Sequence, residues 1–449
     1  MSTLAENTQT KTYRVITWGC QMNVEDSEQL ERHLRDLGLA EADKVSEADV
    51  VLLNTCSVRK KPEDKAFSML GVLREAKEQK PEMVIGVCGC MAQLRTDEIR
   101  RRAPHVDFVI GTAEIGKVPV LVAETLQARR FRSRTALPER KGSIVTDVPQ
   151  RNLGIRRAAL KSFVPIQYGC DKFCTFCVVP TTRGRERSRA TDDIIEEVAL
   201  LAARGTKEVT LLGQTVNSYG KNLLEGKVPF ARLLREIADI EGIERIRYTS
   251  PYPRDFRDDL VSAHREVNQV MPHCHLPLQS GDDDVLKAMH RVYTVEAFSE
   301  IYRNLRAVPG LAITTDVIVG FPGETEEQFR NTMRVMETLR FDGAFMFAYS
   351  PRPDTPAAAM EQVDGATKKR RLNELIDLQN QITCETNHSE AGSVFEVMVE
   401  GPSEKDPSLF KGLTRHFKTM HFPGDVTAGD IVSVIAEEPH MWGFYGRIA

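Results

Sequence analysis

Three cysteines with the spacing C-x3-C-x2-C, namely Cys170, Cys174 and Cys177, are the strongest indication of chemistry in this sequence. A four-iron cluster usually takes four cysteine thiolates, so three in one short loop leave one iron open to a small molecule. The alternative is structural zinc, which commonly uses paired C-x2-C elements and a fourth ligand. The next cysteine is the distant Cys274, and no nearby Cys or His completes a zinc set. The spacing therefore favours an iron–sulfur cluster.

This spacing resembles the signature of radical S-adenosylmethionine (radical SAM) enzymes. The resemblance implies that the open iron chelates SAM, which an electron from the cluster cleaves to a 5′-deoxyadenosyl radical. It also implies that Gly213, Gln214, Ser280 and Gly323, in loops after predicted strands, contact the cofactor. Gln214 departs from the Gly-Gly-Glu pattern that the family often has at this place.

Three further cysteines, Cys20, Cys56 and Cys90, each stand just past a predicted strand. The carboxyl ends of parallel strands share one sheet edge, where ligands bind, so the three thiols could meet and hold a second cluster. The alternative is that each cysteine is a small core residue. Cys88 lies two residues before Cys90, and an extended backbone would point both the same way. The turn at Gly89 leaves the choice between them open.

The segments around these cysteines resemble the three motifs of the methylthiotransferase N-terminal domain. The segments are 19–23 (GCQMN), 54–59 (NTCSVR) and 89–93 (GCMAQ). The resemblance implies that Cys20, Cys56 and Cys90 bind an auxiliary four-iron cluster, with Cys90 chosen over Cys88 because it occupies the Gly-Cys-Met motif.

The elements that must position these residues fall into three predicted domains and a linker: 12–128, a basic linker at 129–155, 156–387 and 388–449. In the first, strands at 13–18, 49–53, 83–87 and 106–110 alternate with helices, which predicts a parallel sheet. One helix is expected from Glu25 to Leu37, with Leu30, Leu34 and Leu37 on its apolar face and Gly38 as its stop.

The central domain is predicted to be a partial (β/α)6 barrel with its site at the strand carboxyl ends. Its expected strands are 163–168, 208–212, 245–249, 273–278, 313–319 and 344–349. Its expected helices are 191–204, with Thr191 as N-cap and Gly205 as stop, and others starting near Phe230, Asp282, Thr294 and Thr325. A charged helix at 367–387 precedes the last domain.

The last domain is predicted to be a small all-β barrel, with alternating strands at 394–400, 412–422 and 430–436. Its cations and aromatic residues are those expected of an RNA-facing strand pair, although any β-domain carries some by chance. They are Lys411, Arg415, His416, Phe417, Lys418 and His421. The segment resembles a TRAM domain, which implies RNA binding.

Two basic stretches could contact anions. Arg183, Arg185, Arg187 and Arg189 alternate just past the cluster loop, where they could meet the cofactor carboxylate or substrate phosphates. The linker region holds nine more cations, Arg129, Arg130, Arg132, Arg134, Arg140, Lys141, Arg151, Arg156 and Arg157. For both stretches the alternative is a solvated, exposed segment.

The composition indicates a soluble globular protein: 449 residues, 41% hydrophobic, 28% charged and a net charge of −4. Nucleic-acid contacts must therefore come from local patches. The N-terminus has no apolar signal core and no apolar run approaches the roughly 18 residues of a membrane span. Nine cysteines without a secretion signal indicate a cytoplasmic protein.

The span from about Thr12 to Ala449 resembles methylthiotransferases throughout. Its loops are most similar to members that convert N6-isopentenyladenosine at position 37, beside the tRNA anticodon, to the 2-methylthio form. The resemblance implies two [4Fe-4S] clusters, the auxiliary one donating sulfur, S-adenosyl-L-methionine, the tRNA anticodon stem-loop, and a reductant such as flavodoxin or ferredoxin. We expect a monomer. The alternatives are methylthiolation of a ribosomal-protein aspartate or of threonylcarbamoyl-adenosine in tRNA, and a non-catalytic iron–sulfur RNA-binding regulator.

Overall fold

The computed structural model describes residues 10–57, 60–138, 148–149, 151–154, 159–223 and 226–449. Arg59 of the second cysteine motif and four predicted linker cations, Arg140, Lys141, Arg156 and Arg157, lie outside the described residues. The chain divides into two compact units. The first is Met1–Arg157 with Tyr168–Asp171 and Val178–Ser188, and the second is Ala158–Gln167, Lys172–Cys177 and Arg189–Ala449.

The N-terminal segment alternates strands and helices. Its elements are β1 Thr12–Trp18, α1 Gln21–Asp36, β2 Ala40–Glu41, β3 Val50–Thr55, α2 Lys60–Gln79, β4 Val84–Gly89, α3 Cys90–Arg102, β5 Phe108–Ile110, α4 Val118–Gln127 and β6 Arg132–Arg134. The strands form one parallel sheet in the order β2-β1-β3-β4-β5-β6, which confirms the predicted parallel α/β architecture.

Both faces of this sheet are buried, as expected for parallel strands whose sequences are continuously apolar. Val51 and Leu53 of β3 pack into a cluster that includes residues of α2 and α3. Val50 and Leu52 face the opposite cluster, which includes residues of α1 and α4. The carboxyl ends of β1, β3 and β4 are thereby held side by side by the sheet.

Several boundaries in this unit differ from prediction. Helix α1 begins at Gln21 rather than Glu25, because the Cys20 carbonyl already accepts the first-turn N–H groups of Asn23 and Val24. Leu37 is 40% exposed and does not share the buried face. Strand β4 continues to Gly89, so Cys88 lies within the strand and not past it.

The predicted linker is not simply an exposed connection. Strand β6, inside it, pairs with β5 as the edge of the sheet. Arg151 forms a 2.5 Å ion pair with Glu25, and both side chains are almost fully buried. Arg151 is thus paired within the protein, so the expected phosphate-contacting role is not supported for this residue.

The following segment supplies the central strands and helices. They are β7 Lys161–Pro165, β8 Gln167–Tyr168, α5 Val179–Arg183, β9 Arg187–Ser188, α6 Thr191–Ala202, β10 Glu208–Leu212, α7 Phe230–Ala238, β11 Arg245–Tyr248, α8 Asp258–Glu266, β12 His273–His275, α9 Asp283–Ala288, α10 Val295–Arg306, β13 Ala312–Val319, α11 Glu326–Leu339, β14 Gly343–Ala348 and α12 Gly365–Glu390. Short 3-10 turns cover Val45–Glu47, Ile115–Lys117, Val216–Ser218, Pro253–Asp255 and Pro356–Ala359.

In the second unit, β7, β10 and β11 form one parallel sheet and β12, β13 and β14 another. A parallel bridge from Ile246 in β11 to Val270 lies between them, so the strands follow one another in chain order. This is the pattern of an open (β/α) barrel, as predicted. Asp282, Thr294 and Thr325, near which helices were expected to start, are N-caps that accept first-turn N–H groups, whereas α6 has Ala190 and not the predicted Thr191 at its N-cap.

The C-terminal strands close into the predicted β-barrel. They are β15 Val394–Pro402, β16 Phe410–Thr414, β17 Thr419–Phe422, β18 Ile431–His440 and β19 Gly443–Ile448. The expected single strand 412–422 is instead a hairpin, with its turn at 415–418 and Phe417 at φ 68°. Strand β19 was not predicted.

Candidate active site

The structure brings Cys20, Cys56 and Cys90 together at one edge of the N-terminal sheet. Cys20 is the N-cap of α1, Cys56 directly follows β3, and Cys90 is the first residue of α3. The Cys56 thiol is within hydrogen-bonding reach of both other thiols. Cys56 and Cys90 are each 3% exposed, while Cys20 is exposed. The three thiols therefore form one cluster that reaches solvent at Cys20.

Contacts within this cluster favour the thiolate form of Cys20 and Cys90. The hydrogen bond with Cys56 lowers the pKa of Cys20 to about 5, and a second one lowers the pKa of Cys90 to about 7. The same two hydrogen bonds, together with burial, raise the pKa of Cys56. Thiolates are the form in which cysteine binds metal. Among the described residues no group of three or more His, Cys, Asp or Glu is arranged to hold a metal ion as it stands. A four-iron cluster makes a different demand, because its ligands bind separate irons.

The structure separates Cys88 from this cluster. Cys88 lies inside β4, is fully buried, and packs with Leu52 and Phe108 in the core on the α1 and α4 side of the sheet. Burial raises the pKa of its thiol. These positions favour Cys90 over Cys88 as the third ligand.

Two buried asparagines connect the cysteine segments. The Cys20 amide N–H donates to Asn23 Oδ1 at 3.3 Å, and Cys20 Sγ lies 3.4 Å from the same oxygen. Asn23 Nδ2 donates to Asn54 Oδ1 at 3.3 Å, and Asn54 Nδ2 donates to the Asn23 carbonyl and to Ser27 Oγ, both at 2.9 Å. Both asparagines are fully buried, so these hydrogen bonds satisfy groups that would otherwise be costly to bury.

This asparagine pair explains two motif glycines. A Cβ on Gly19 would lie 2.3 Å from Asn23 Oδ1, and one on Gly89 would lie 2.4 Å from Asn54 Oδ1. Gly89 also has φ 88° and ψ −159°, a region almost restricted to glycine. The two asparagines stand in motifs quoted above, but their spacing alone does not predict that they contact each other.

Arg183 is not at an open anion site. Its guanidinium donates to Asp26 Oδ2 at 2.6 Å, and both side chains are about 95% buried, in the same unit as the three thiols. Burial raises the pKa of Asp26 to about 6, against the effect of the arginine charge, and the Arg183 charge contributes to lowering the pKa of Cys20 and Cys90. The predicted contact of Arg183 with the SAM carboxylate is not favoured by this placement. The structure associates Arg183 with the N-terminal thiols.

The neighbouring arginines are also paired, but only Arg187 and Arg189 contradict the solvated alternative, because the Arg185 side chain is 42% exposed. Arg185 donates to Asp171 at 2.6 Å, Arg187 to the Arg183 carbonyl at 3.0 Å, and Arg189 to Glu197 at 2.8 Å. Arg187 and Arg189 are buried.

The C-x3-C-x2-C loop crosses the division of the chain, with Cys170 in the first unit and Cys174 and Cys177 in the second. In the first unit, Cys170 is buried and its N–H donates to the Gly184 carbonyl at 3.1 Å. In the second, Cys174 and Cys177 are partly exposed and are joined by a backbone hydrogen bond of 3.0 Å. Thr175 between them donates to Met289 O and accepts from Ala357 N, which anchors this half of the loop.

The carboxyl ends of the central strands carry buried polar atoms that have no hydrogen-bond partner among the described residues. They are both amide atoms of Gln167, Gln214 Oε1, Arg291 Nε and Glu324 Oε1. Gln167, Gln214 and Glu324 follow β7, β10 and β13 at the barrel end where ligands bind, and Arg291 lies beyond α9, the helix that follows β12. Buried polar atoms are normally paired, so this set fits a polar cofactor such as SAM.

The surroundings of the other predicted SAM-contacting residues support this role for some of them and not for others. A Cβ on Gly213 would lie 3.1 Å from Gln167 Oε1, so glycine leaves room for that carboxamide. Gly323 lies in a turn at φ 78° with open space around its Cα. The Ser280 hydroxyl is fully buried, lies 3.4 Å from Thr332 Oγ1 and accepts the Asp282 N–H, so its contacts do not favour a cofactor role.

The predicted RNA-facing hairpin is largely occupied by contacts within the second unit. Arg415 donates to the Asn268 carbonyl, and Arg247 of β11 donates to the carbonyls of Thr414 and Arg415. Phe417 stacks on His273 with ring centroids 4.7 Å apart. Lys418 is buried against Asn387 and Glu390, and burial lowers the pKa of His416 to about 4. These contacts do not favour an RNA-facing role for Arg415, His416 and Lys418, whereas Phe417 is still 48% exposed and its role stays a prediction.

Aromatic residues and lysines are instead exposed elsewhere on the barrel. We call this the aromatic–lysine surface; it consists of Lys405, Lys411, His421, His440, Trp442 and Tyr445. The rings of His421, His440 and Tyr445 lie 5.3–5.9 Å apart. Trp442 is 71% exposed and Tyr445 44%. Burial lowers the pKa of His421, and the charges of both lysines lower it further.

Comparison with known proteins agrees with this geometry. Residues 12–111 match the model described as uncharacterized protein family UPF0004, and residues 164–336 match the radical SAM superfamily. The radical SAM methyltransferase TsrM from Kitasatospora setae, solved with cobalamin and a [4Fe-4S] cluster, has a similar fold. Its TM-score is 0.57 at 16% identity, over 78% of this chain and 74% of that one. The barrel, the cysteine loop and these matches define a radical SAM enzyme.

Similar proteins of known name show to which family of radical SAM enzymes the chain belongs. The tRNA-2-methylthio-N(6)-dimethylallyladenosine synthase of Moorella thermoacetica is 44% identical over 98% of both chains. That of Acetivibrio thermocellus is 44% identical over 98% of this chain and 91% of its own. The chain belongs to the tRNA-2-methylthio-N(6)-dimethylallyladenosine synthase family. In the described part of the chain, no helix combines the length and apolarity that a membrane crossing requires.

Proposed function

We propose that this enzyme adds a methylthio group to carbon 2 of N6-isopentenyladenosine at position 37, beside the tRNA anticodon. The observation that carries the proposal is the cluster of Cys20, Cys56 and Cys90, which is distinct from the radical SAM loop. A radical SAM enzyme needs one cluster to cleave its cofactor. A second three-thiol site supplies a place for the sulfur that the product gains.

The residues fit two clusters and SAM. Cys170, Cys174 and Cys177 would hold the radical-generating cluster, and Cys20, Cys56 and Cys90 the auxiliary one. The clusters and SAM supply the radical, the sulfur and the methyl group, because protein side chains do not activate an aromatic C–H bond. The chain itself contributes the asparagine pair that fixes Cys20, the Arg183–Asp26 ion pair beside the thiols, and the unpartnered polar atoms of the barrel end.

We place the tRNA contact of the barrel on the aromatic–lysine surface. Exposed rings next to lysines suit RNA, because rings stack on unpaired bases while cations contact phosphates. Stacking contributes about 1–3 kcal/mol per base, so Trp442→Ala or Tyr445→Ala should weaken tRNA binding roughly 5- to 150-fold. Val394→Ala, a 58% exposed position on the same barrel, is the matched control and should change little. Unchanged binding in both aromatic variants would remove this surface from the proposal.

Further elements of the proposal concern partners and organisation. We propose a cytoplasmic monomer reduced by a flavodoxin or ferredoxin, and functional domains at 12–128, 156–387 and 388–449, joined by 129–155. The 388–449 domain would act as a TRAM-type RNA-binding module. Its closed β-barrel and exposed rings support this role.

The test is an anaerobic assay of the reconstituted protein with SAM, a reductant and three separate substrates: tRNA bearing N6-isopentenyladenosine, tRNA bearing threonylcarbamoyl-adenosine, and the ribosomal protein. Mass spectrometry of digested products should find the methylthio group only in the first. Modification of another substrate alone would refute the substrate assignment. RNA binding without 5′-deoxyadenosine formation would refute enzymatic function and favour a regulator.

A further inference from the structure

Arg291 lies beside the cysteine loop, and none of the acidic residues that the structure describes forms an ion pair with it. Its guanidinium carbon is 5.6 Å from the centroid of the Phe176 ring and 5.4 Å from that of the Tyr252 ring. Its Nε is buried and has no hydrogen-bond partner, and no described carboxylate is within ion-pairing distance of the side chain. A buried donor without an acceptor is costly, so this arrangement leaves a cationic donor available to an anionic group that the described residues do not supply.

Arg291 is firmly tied to the cluster loop. Phe176, over which its guanidinium lies, stands between Cys174 and Cys177. The Arg291 N–H donates to the Leu286 carbonyl at the end of α9, and the nearby Met289 carbonyl accepts from Thr175 of the loop. The guanidinium is therefore fixed close to the two cysteines by its stacking and by its backbone.

Lys172 is a second cation close to the Tyr252 ring, and unlike Arg291 it has an acidic partner. Lys172 Nζ lies 4.9 Å from the Tyr252 centroid, but it forms a 2.5 Å ion pair with Asp255. Asp255 also accepts from Lys221 and Ser218, both at 2.7 Å. Lys172 is thus neutralised within the protein, whereas Arg291 keeps its charge and donors for another molecule.

We propose that Arg291 binds the carboxylate of S-adenosylmethionine, the role for which the sequence had suggested Arg183. This rests on the proposed function insofar as SAM is the cofactor. An arginine presents a planar pair of donors that suits a carboxylate, and the rings of Phe176 and Tyr252 hold the fork in one orientation. If SAM binds at the Cys174–Cys177 segment through its amino-acid end, its carboxylate would come within reach of Arg291, whose guanidinium lies over Phe176 of that segment. In this role Arg291 binds the cofactor as a permanent cation, because its guanidinium stays protonated.

The test measures binding, with the holoenzyme carrying both clusters. Equilibrium dialysis under anaerobic conditions would give Kd for SAM and for decarboxylated SAM, in wild type, Arg291→Gln, Arg291→Lys and the control Arg254→Gln, which is exposed in the same region. A charge-assisted hydrogen bond corresponds to roughly 10- to 100-fold in affinity. We expect that loss for SAM in Arg291→Gln, a smaller loss in Arg291→Lys, and less than about threefold change for the decarboxylated compound.

Iron content and thermal unfolding of each variant show whether the loop and clusters remain intact. Equal weakening of both compounds would overturn the assignment and make Arg291 a support for the loop. Unchanged SAM binding in Arg291→Gln would overturn it as well. If the wild-type holoenzyme bound neither compound, the proposed function itself would fail, so the two failures are distinguishable.

Discussion

Replacing Gly89 with alanine should damage the auxiliary site while leaving the radical SAM loop intact. The backbone there, φ 88° and ψ −159°, costs a non-glycine residue about 1–3 kcal/mol. The new Cβ would also lie 2.4 Å from Asn54 Oδ1 and 2.7 Å from the Thr55 carbonyl. Because that carbonyl is backbone, relief requires a shift of the segment leading to Cys56, with an overpacking cost of about 1–3 kcal/mol. Together the two costs should lower the free energy of unfolding of Gly89→Ala by about 2–6 kcal/mol.

Urea unfolding of the apo-protein would measure this cost, in a Trp442→Phe background where Trp18 is the remaining tryptophan. Anaerobic reconstitution would measure the site, with about four irons per chain expected in Gly89→Ala, as only one four-iron cluster would bind. Gly38→Ala is the control, since it shares a positive φ of 82° but has nothing within 4 Å. The free energy of unfolding of Gly38→Ala should fall by about 1–2 kcal/mol, and its iron content should not change. Equal losses in the two variants with full iron in both would refute the reasoning.

Three further predictions concern the ligand choice, pH and the barrel attachment. Cys88→Ala should retain about eight irons while Cys90→Ala retains about four, by iron assay; the reverse would reassign the ligand. Burial lowers the pKa of His264 to about 4, so its contribution to folding is complete above pH 6.5 and is lost as the pH falls through 4. Urea unfolding at a series of pH values would measure this loss in the free energy of unfolding. His264→Gln should reduce the loss between pH 6.5 and 4 by up to about 3 kcal/mol, and the same dependence on pH in the variant as in the wild type would contradict the prediction. Arg247→Met should lower the free energy of unfolding by about 3–5 kcal/mol, because it leaves Glu208 buried and unpaired, and a loss under 1 kcal/mol in urea titration would be inconsistent with a buried pair.

Local patterns predicted much of the fold. The apolar run of β3 and the alternation of strands with helices indicate a parallel sheet, because such strands are buried on both faces. The helix starts near Asp282, Thr294 and Thr325 were also predicted, since the side-chain oxygen that caps each first turn is a local property. The convergence of Cys20, Cys56 and Cys90 follows from the same topology, because parallel strands end at one edge.

Long-range pairing could not be predicted. The partner of Arg183 is Asp26, which lies 157 residues away, and the hairpin turn at 415–418 docks on Arg247 and Asn268 of the central segment. Composition shows that these cations exist but not which carbonyl or carboxylate neutralises them. Arg291 shows the reverse case: no local motif marks it, and the lack of a partner for its Nε among the described residues becomes visible only once its surroundings are known.

The central claim is that this chain binds two clusters, one on each set of three cysteines. The most direct measurement is the iron and sulfide content of anaerobically purified wild type and of a Cys20→Ala, Cys56→Ala, Cys90→Ala triple variant. The account predicts about eight irons in wild type and about four in the variant, with SAM cleavage retained under a reductant. Four irons in both proteins would contradict it.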